Sequence, residues 1–344
     1  MDVVPPFRRD LVVVGASAGG VEALRAVVSR LPADFPGTIL VTMHLGPGTH
    51  SALARILDRA GPLPAVTAEH GTAIKPGTVH VAPPDRHLLI EDNVLVLTRG
   101  PTENGHRPAI NATFRSAALS AGPRTIGVVL SGALDDGAAG LKAIVDRGGP
   151  AVVQDPADAL YSGMPENALS LVDAEYVLPA AEIGAVLDQL VRLPVEPGAV
   201  TPPAQALLLE DRIAREEVRA GALSPSEQSP GSGYTCPDCQ GSLTEIDAAG
   251  RYRCRIGHAW SAPALLAAHD GEFQSALLKA LRALDEKAAL ARKLAAQTGG
   301  KSKNLRGLAE RYTSSARDAA DAAETLRRFL LDAIGQTAEE AAPG

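Results

Sequence analysis

No cysteine occurs before position 236, and the chain has only three, all between residues 236 and 254. An odd number confined to one short segment argues against a disulfide framework. Aromatic residues make up 3% of the chain, so the core that its 45% hydrophobic content can build is mostly aliphatic. No apolar run approaches the ~18 residues of a membrane-spanning helix, and the stretch Met1 to Asp10 lacks the apolar segment of a signal peptide. A soluble, cytoplasmic protein with no direct membrane insertion is expected. A basic surplus is also missing: the net charge is −7, with acidic residues in excess both in 1–192 and in 193–344, so nucleic acid is not an expected partner.

What is present starts at residue 11. A short apolar strand, Leu11 to Val14, runs into Gly15-Ala16-Ser17-Ala18-Gly19-Gly20 and then into an amphipathic helix beginning near Val21. Glycines permit positive φ and close backbone approach, while a helix N-terminus presents unpaired N–H groups and the positive end of its dipole. Such a turn can display a nucleophilic serine, with the Ala18 amide a candidate oxyanion donor, or it can hold a phosphate of a nucleotide cofactor. A P-loop would end in Gly-Lys-Ser/Thr, but here Gly19-Gly20-Val21 follows. A short-chain dehydrogenase needs Tyr with Lys four residues later, and the five tyrosines are followed at that spacing by Pro165, Ala180, Asp238, Ile256 and Ala316. The nucleotide reading weakens, and Ser17 stands as the candidate nucleophile.

A serine nucleophile needs a base and a group to orient it, and in a doubly wound sheet both should lie at the carboxyl ends of strands. Thr38 to Thr42 reads as the second strand, with His44 just past its end; His50, after Gly46-Pro47-Gly48 and near the start of a helix over about 51–59, is the competitor. Thr125 to Leu130 reads as a strand buried on both faces, ending in Ser131-Gly132-Ala133-Leu134-Asp135-Asp136-Gly137 before a helix from about Ala138 to Arg147. One of the two aspartates can cap that helix while the other faces His44. Spacing alone does not choose between them.

Six blocks in order carry a family resemblance: Val14 to Gly20, Met43-His44-Leu45, Val81 to His87, His106-Arg107-Pro108 with Phe114 to Ala118, Leu130-Ser131-Gly132 through Asp136-Gly137, and Gln154-Asp155 with Gly163-Met164-Pro165. Together they resemble the catalytic domain of CheB-type protein-glutamate methylesterases, which demethylate chemotaxis receptors, over about residues 10–192. The resemblance implies a doubly wound, mostly parallel α/β sheet and a triad of Ser17, His44 and Asp136, with no cofactor for catalysis. It further implies a methylated chemoreceptor or related sensory protein as partner, and a backbone amide near Ala133 as a second oxyanion donor. Departures from the family pattern fall at Ala18, Asn111, Ser131, Ala133 and Leu134, and none is a triad position. Substrate recognition is expected from the loops carrying Arg86, Arg107 and Arg115, with surface ion pairs as the alternative role for each. Another serine esterase, a receptor glutamine deamidase or an inactive receptor-binding scaffold are the competing functions. Family members usually carry an N-terminal receiver domain; the matched region begins near residue 10, so a stand-alone form is expected.

All three cysteines join one histidine in Cys236-x2-Cys239-x14-Cys254-x3-His258, a spacing that can set three thiolates and an imidazole around tetrahedral zinc. A closed four-ligand site is structural. Arg251, Arg253 and Arg255 alternate beside it, as a solvated face or a surface for an acidic partner. Beyond, Leu277, Leu281, Leu284, Ala288, Ala291 and Leu294 recur at helical spacing, Gly299-Gly300 interrupts, and Leu305, Leu308, Tyr312, Ala316, Ala319, Ala323, Leu326 and Leu330 resume it. A helical hairpin follows, whose apolar stripe is self-buried, a homodimer surface or a surface for another partner. The expected organisation is a catalytic domain at 1–192, a linker at 193–233 with a helix over Ala204 to Ala220, a zinc-ribbon-like domain at 234–268, and the hairpin with its tail at 269–344. The region beyond about 194 is expected to set access to the active site or to recruit substrate.

Overall fold

The computed structural model describes residues 8–44, 51–195, 202–217, 231–247, 250–298 and 303–340, so His50 lies outside the described residues. The chain forms two compact units, Met1–Leu265 and Leu266–Gly344.

The first unit is built on seven parallel strands in the order β3 (Ala65–Thr67), β4 (Val79–Val81), β2 (Thr38–Met43), β1 (Leu11–Ala16), β7 (Thr125–Val129), β8 (Ala151–Gln154) and β9 (Tyr176–Leu178). All six residues of β1 are buried. This explains its continuous apolar sequence: Val12 and Val14 pack into one core layer, Leu11 and Val13 into the other. The first layer is covered by α1 (Gly20–Val28), α2 (Leu53–Ala60) and α6 (Ala180–Arg192), through Leu24, Leu57, Ile183 and Leu187. The second is covered by α3 (Ile110–Ala121), α4 (Ala138–Asp146) and α5 (Gly163–Leu171), through Ile110, Phe114, Leu141 and Met164. A doubly wound sheet results, and its strand order reverses direction at β1, between β2 and β7.

An antiparallel hairpin, β5 (His87–Glu91) with β6 (Val94–Thr98), lies outside the main sheet. A separate four-stranded antiparallel sheet joins β10 (Gly231–Thr235), β11 (Ser242–Asp247), β12 (Arg251–Cys254) and β13 (Ala259–Ser261). The helix expected over Ala204 to Ala220 forms as α7 (Gln205–Ala214), tied to the catalytic fold where the Thr98 hydroxyl donates to the Ala214 carbonyl at 2.6 Å. Residues 218–220 and Ser224 to Ser229 of the expected linker lie outside the described residues.

The second unit contains most of α8 (Ala262–Thr298) and α9 (Lys303–Glu340), a helical hairpin. Among the described residues its buried positions, Ala288, Ala291, Ala316, Ala319, Ala323 and Leu330, belong to the apolar stripe read from the sequence. Phe273 meets Phe329 edge-to-face with ring centroids 6.2 Å apart.

Candidate active site

Three chain segments leave the sheet at its carboxyl edge around the reversal point. β1 delivers Ser17, β2 delivers His44, and the loop after β7 delivers Asp136. Ser17 is held by its own amide, which donates to the Ser131 carbonyl at 2.9 Å, and by its carbonyl, which accepts from the Gly20 amide at 2.9 Å. Gly19, at φ 71°, makes the turn that starts α1 directly behind the serine. Gly132 meets the same turn from the other side: a Cβ there would stand 2.9 Å from Ser17 Cβ and 2.0 Å from Met164 Sδ. This close approach explains the Ser-Gly pair at 131–132.

The structure brings Ser17, His44 and Asp136 together. His44 Nδ1 is 3.1 Å from Ser17 Oγ, and His44 Nε2 is 2.7 Å from Asp136 Oδ2. The Asp136 carboxylate also accepts from the amides of Ile110 at 2.7 Å, Asn111 at 3.1 Å and Gly137 at 3.0 Å. It therefore sits at the N-terminus of α3, where amides and helix dipole favour negative charge. Burial alone would raise its pKa; the bond to His44, the histidine's charge and the Ile110 amide overcome this and lower it to about 2. Asn111, a departure from the family pattern, accepts from the Gly137 and Gly140 amides at 3.1 and 2.7 Å and so fixes the start of α4. Asp135 faces away: its Oδ1 accepts from the Ser261 hydroxyl at 2.8 Å. The residue after Gly132, Ala133, and Leu134 are exposed, with Leu134 in the left-handed region at φ 62°.

One neighbour carried no assigned role in the sequence reading. The His106 ring stacks on His44, with centroids 3.6 Å apart and planes 11° from parallel. Burial, then the proximity of His44, lowers its pKa to about 4, so at neutral pH it is an uncharged plate against the His44 ring. Only its place in the His106-Arg107-Pro108 block singled it out.

Two expectations about arginines are corrected. Arg115 cannot meet a substrate: it lies on α3, is 3% exposed, and its guanidinium is bound by both oxygens of buried Glu103. Arg251 and Arg253 do not form a free solvated face: both turn to an acid within the chain, and Arg253 is buried. Arg251 bonds both Glu210 oxygens on α7, at 3.0 and 3.1 Å, and buried Arg253 lies 3.6 Å from the same carboxylate. Arg107 is also engaged internally, gripping Asp85 at 2.6 and 2.9 Å.

Cys236, Cys239, Cys254 and His258 converge, with all four ligand atoms within 4.8 Å of one another. Cys236 Sγ lies 3.6 Å from His258 Nδ1, and Cys239 Sγ 3.6 Å from Cys254 Sγ. These separations match the edges of a tetrahedron whose metal–sulfur bonds are about 2.3 Å, and are far too long for a disulfide. Three soft sulfurs and one imidazole fit zinc, which when bound would cross-link the Cys236–Cys239 turn to the β12–β13 connection.

A doubly wound α/β fold bearing a serine, a histidine and an aspartate at its reversal point has the make-up of a serine hydrolase domain. The family model for CheB methylesterase matches residues 12–187, and the chain belongs to that family. Protein-glutamate methylesterase FrzG of Myxococcus xanthus is 41% identical over 188 residues, 54% of this chain and 56% of that protein. A putative protein-glutamate methylesterase/protein-glutamine glutaminase of Leptospira interrogans is 38% identical over 182 residues, 53% of this chain and 94% of that protein. Among solved structures, the Thermotoga maritima CheB methylesterase catalytic domain superposes with TM-score 0.51 at 35% identity, covering 53% of this chain and 98% of that domain. The chain spans about half the length of several curated relatives it matches.

Proposed function

We propose that the chain hydrolyses γ-methyl esters of glutamate side chains in a methylated chemoreceptor or related sensory protein, with Ser17 as nucleophile, His44 as general base and Asp136 as its orienting partner. The observation that carries this reading is the continuous path from Ser17 Oγ to His44 Nδ1 at 3.1 Å and from His44 Nε2 to Asp136 Oδ2 at 2.7 Å, inside a domain of the CheB methylesterase family. With Nε2–H donating to Asp136, the Nδ1 lone pair faces the serine. As Oγ attacks the ester carbonyl, Nδ1 takes its proton; the imidazolium returns that proton to the departing methoxide, releasing methanol. Water then enters, gives a proton to Nδ1 and attacks the acyl-serine; Oγ leaves with the proton and free glutamate remains. The Ala18 amide, at the N-terminus of α1, and the Ala133 amide are the proposed oxyanion donors, each contributing about 10²–10³ in rate.

Several relatives are named protein-glutamate methylesterase/protein-glutamine glutaminase. The same cycle with a side-chain amide would release ammonia, which makes deamidation the second reading. Incubating the full chain with methylated and unmethylated receptor separates them: methanol from the first supports the esterase, ammonia from the second the deamidase, and neither product refutes both.

Cys236, Cys239, Cys254 and His258 are proposed to hold one structural zinc ion, and catalysis to need no cofactor. The functional division proposed is a catalytic domain at 1–192, a linker at 193–233, a zinc-binding domain at 234–268 and a helical segment at 269–344 that serves as a homodimer surface. A cytoplasmic location without membrane insertion is proposed; among the described residues no helix is long and apolar enough to cross a membrane.

A further inference from the structure

The loop that carries His106 is held from two sides. Glu103 and His106 close a tight turn, with Glu103 N donating to His106 O at 3.1 Å and His106 N to Glu103 O at 2.9 Å. Asn104 and Gly105 at its tip have φ of 51° and 75°. On one side His106 stacks on His44. On the other, the turn is bonded to the segments that bear the metal ligands. Asn104 N donates to Ala259 O at 2.8 Å and Ala259 N to Thr102 O at 3.1 Å, Ala259 being the residue after His258. The Thr102 hydroxyl donates to Asp238, between Cys236 and Cys239, at 2.5 Å. Ser261 N donates to Asn104 Oδ1 at 2.9 Å, and Ser261 Oγ donates to Asp135, the triad aspartate's neighbour, at 2.8 Å. The Trp260 ring lies over Gly105, where a Cβ would be 3.4 Å from its Cη2.

We propose that the Cys/His module, held in shape by its metal, clamps the Thr102–His106 turn and so keeps His106 stacked against His44, with Asn104 and Ser261 as positioning residues for ester hydrolysis. The physical basis is an asymmetry of stability. The four-residue turn closed by Glu103 and His106, with two positive-φ positions, has little stability of its own, and a small Cys/His module without metal does not keep its fold. Arg115 on α3 anchors the Glu103 end of the turn, and the bonds to the module order its Asn104–His106 end only while the module is formed. An unclamped His106 frees the His44 ring to tilt away from Ser17, and displacements of about 1 Å between reacting groups change rates by about 10²-fold. The proposal rests on reading Ser17 and His44 as nucleophile and base.

The test uses the full chain with its zinc content measured, p-nitrophenyl acetate as substrate, a fluorophosphonate as a label for Ser17, and the emission of Trp260, the only tryptophan. The variants Ser261→Ala and Asn104→Ala, alone and combined, cut side-chain ties without touching a ligand. The combined variant should keep its zinc, shift Trp260 emission to the red and lose at least about fivefold in kcat with KM within about twofold. Chelation of the wild-type chain should lower kcat likewise, and added zinc should restore it; chelating the combined variant should lower kcat less. Unchanged kcat in a zinc-loaded combined variant, or in wild-type chain after verified zinc loss, overturns the proposal. If the combined variant does not fold, the single Ser261→Ala variant is held to the same criterion. A wild-type chain that labels at Ser17 but turns over no ester refutes the esterase reading alone, and the labelling rates then decide this proposal by the same comparison. A chain that does not label at Ser17 overturns both.

Discussion

Replacing Asp136 by asparagine removes one acceptor from a site that uses all of them. In the native chain Oδ2 accepts from His44 Nε2 and Ile110 N, both at 2.7 Å, and Oδ1 from Asn111 N at 3.1 Å and Gly137 N at 3.0 Å. An amide keeps one oxygen. If that oxygen stays on Asn111 and Gly137, the new NH₂ points at His44 and at the Ile110 N–H. His44 can accept from it only by moving its proton to Nδ1, which then confronts Ser17 Oγ with a donor and cannot take its proton. This is the wrong-tautomer defect, worth about 10⁴ in kcat where it has been isolated. The reverse orientation restores Ile110 and His44 but sets NH₂ against two amides. Either way at least one charge-assisted hydrogen bond is lost and a buried N–H is left unpaired, a destabilisation of about 3 kcal/mol. The assay is p-nitrophenyl acetate turnover beside urea unfolding. Asp136→Asn should lose about 10⁴ in kcat with KM little changed and remain folded. A variant keeping more than about a tenth of wild-type kcat refutes the assignment of Asp136 as the partner of His44.

Metal analysis should find one zinc per chain, and Cys239→Ser or strong chelation should unfold the segment 234–262 while 10–192 stays folded, as tryptophan emission and limited proteolysis will show. His106 makes stability pH-dependent: the unfolded chain's histidine takes a proton near 6.5, whereas the folded one does not until about 4, so the unfolded state binds more protons between these values. Stability should therefore fall as pH drops from about 6.5 to about 4, by about 3 kcal/mol for this residue, and level off below. The slope of urea midpoints against pH should be shallower in His106→Phe, which keeps a flat ring and loses the titration; an unchanged slope contradicts this. Gly132→Ala should destabilise by about 2 kcal/mol through its clash with Met164 Sδ. Adding Met164→Ala should recover stability but not activity, because the contact with Ser17 Cβ remains; recovery of both would show that Gly132 matters only for packing.

The strands that lead to Ser17, His44 and Asp136 were legible because their signals are local. β1, β2 and β7 are short runs rich in β-branched residues; Ser17 and His44 come directly after the first two, Asp136 lies on the loop that leaves the third, and the glycines around Ser17 mark its turn. Periodicity likewise placed the apolar stripes of α8 and α9. What decides between Asp135 and Asp136 is not local: the left-handed Leu134 and the amides of α3, some 25 residues back in the chain, turn one carboxylate toward His44 and the other toward Ser261. The same holds for the arginines. Arg251 and Arg253 alternate as an exposed strand face would, yet their acid, Glu210, lies on a helix about 40 residues earlier. The contact of the Thr102–His106 turn with Ala259 and Ser261 spans more than 150 residues and leaves no pattern in either segment.

The central claim is that Ser17 is the nucleophile of an ester hydrolase, and the most direct test is to trap it. The full chain should be treated with a fluorophosphonate, digested and mapped by mass spectrometry, with methanol release from methylated receptor followed in parallel. The account predicts a single adduct on Ser17, loss of methanol release in step with labelling, and no adduct in Ser17→Ala or His44→Ala. Methanol release that persists in Ser17→Ala, or an inactivating adduct on any other residue, would contradict it.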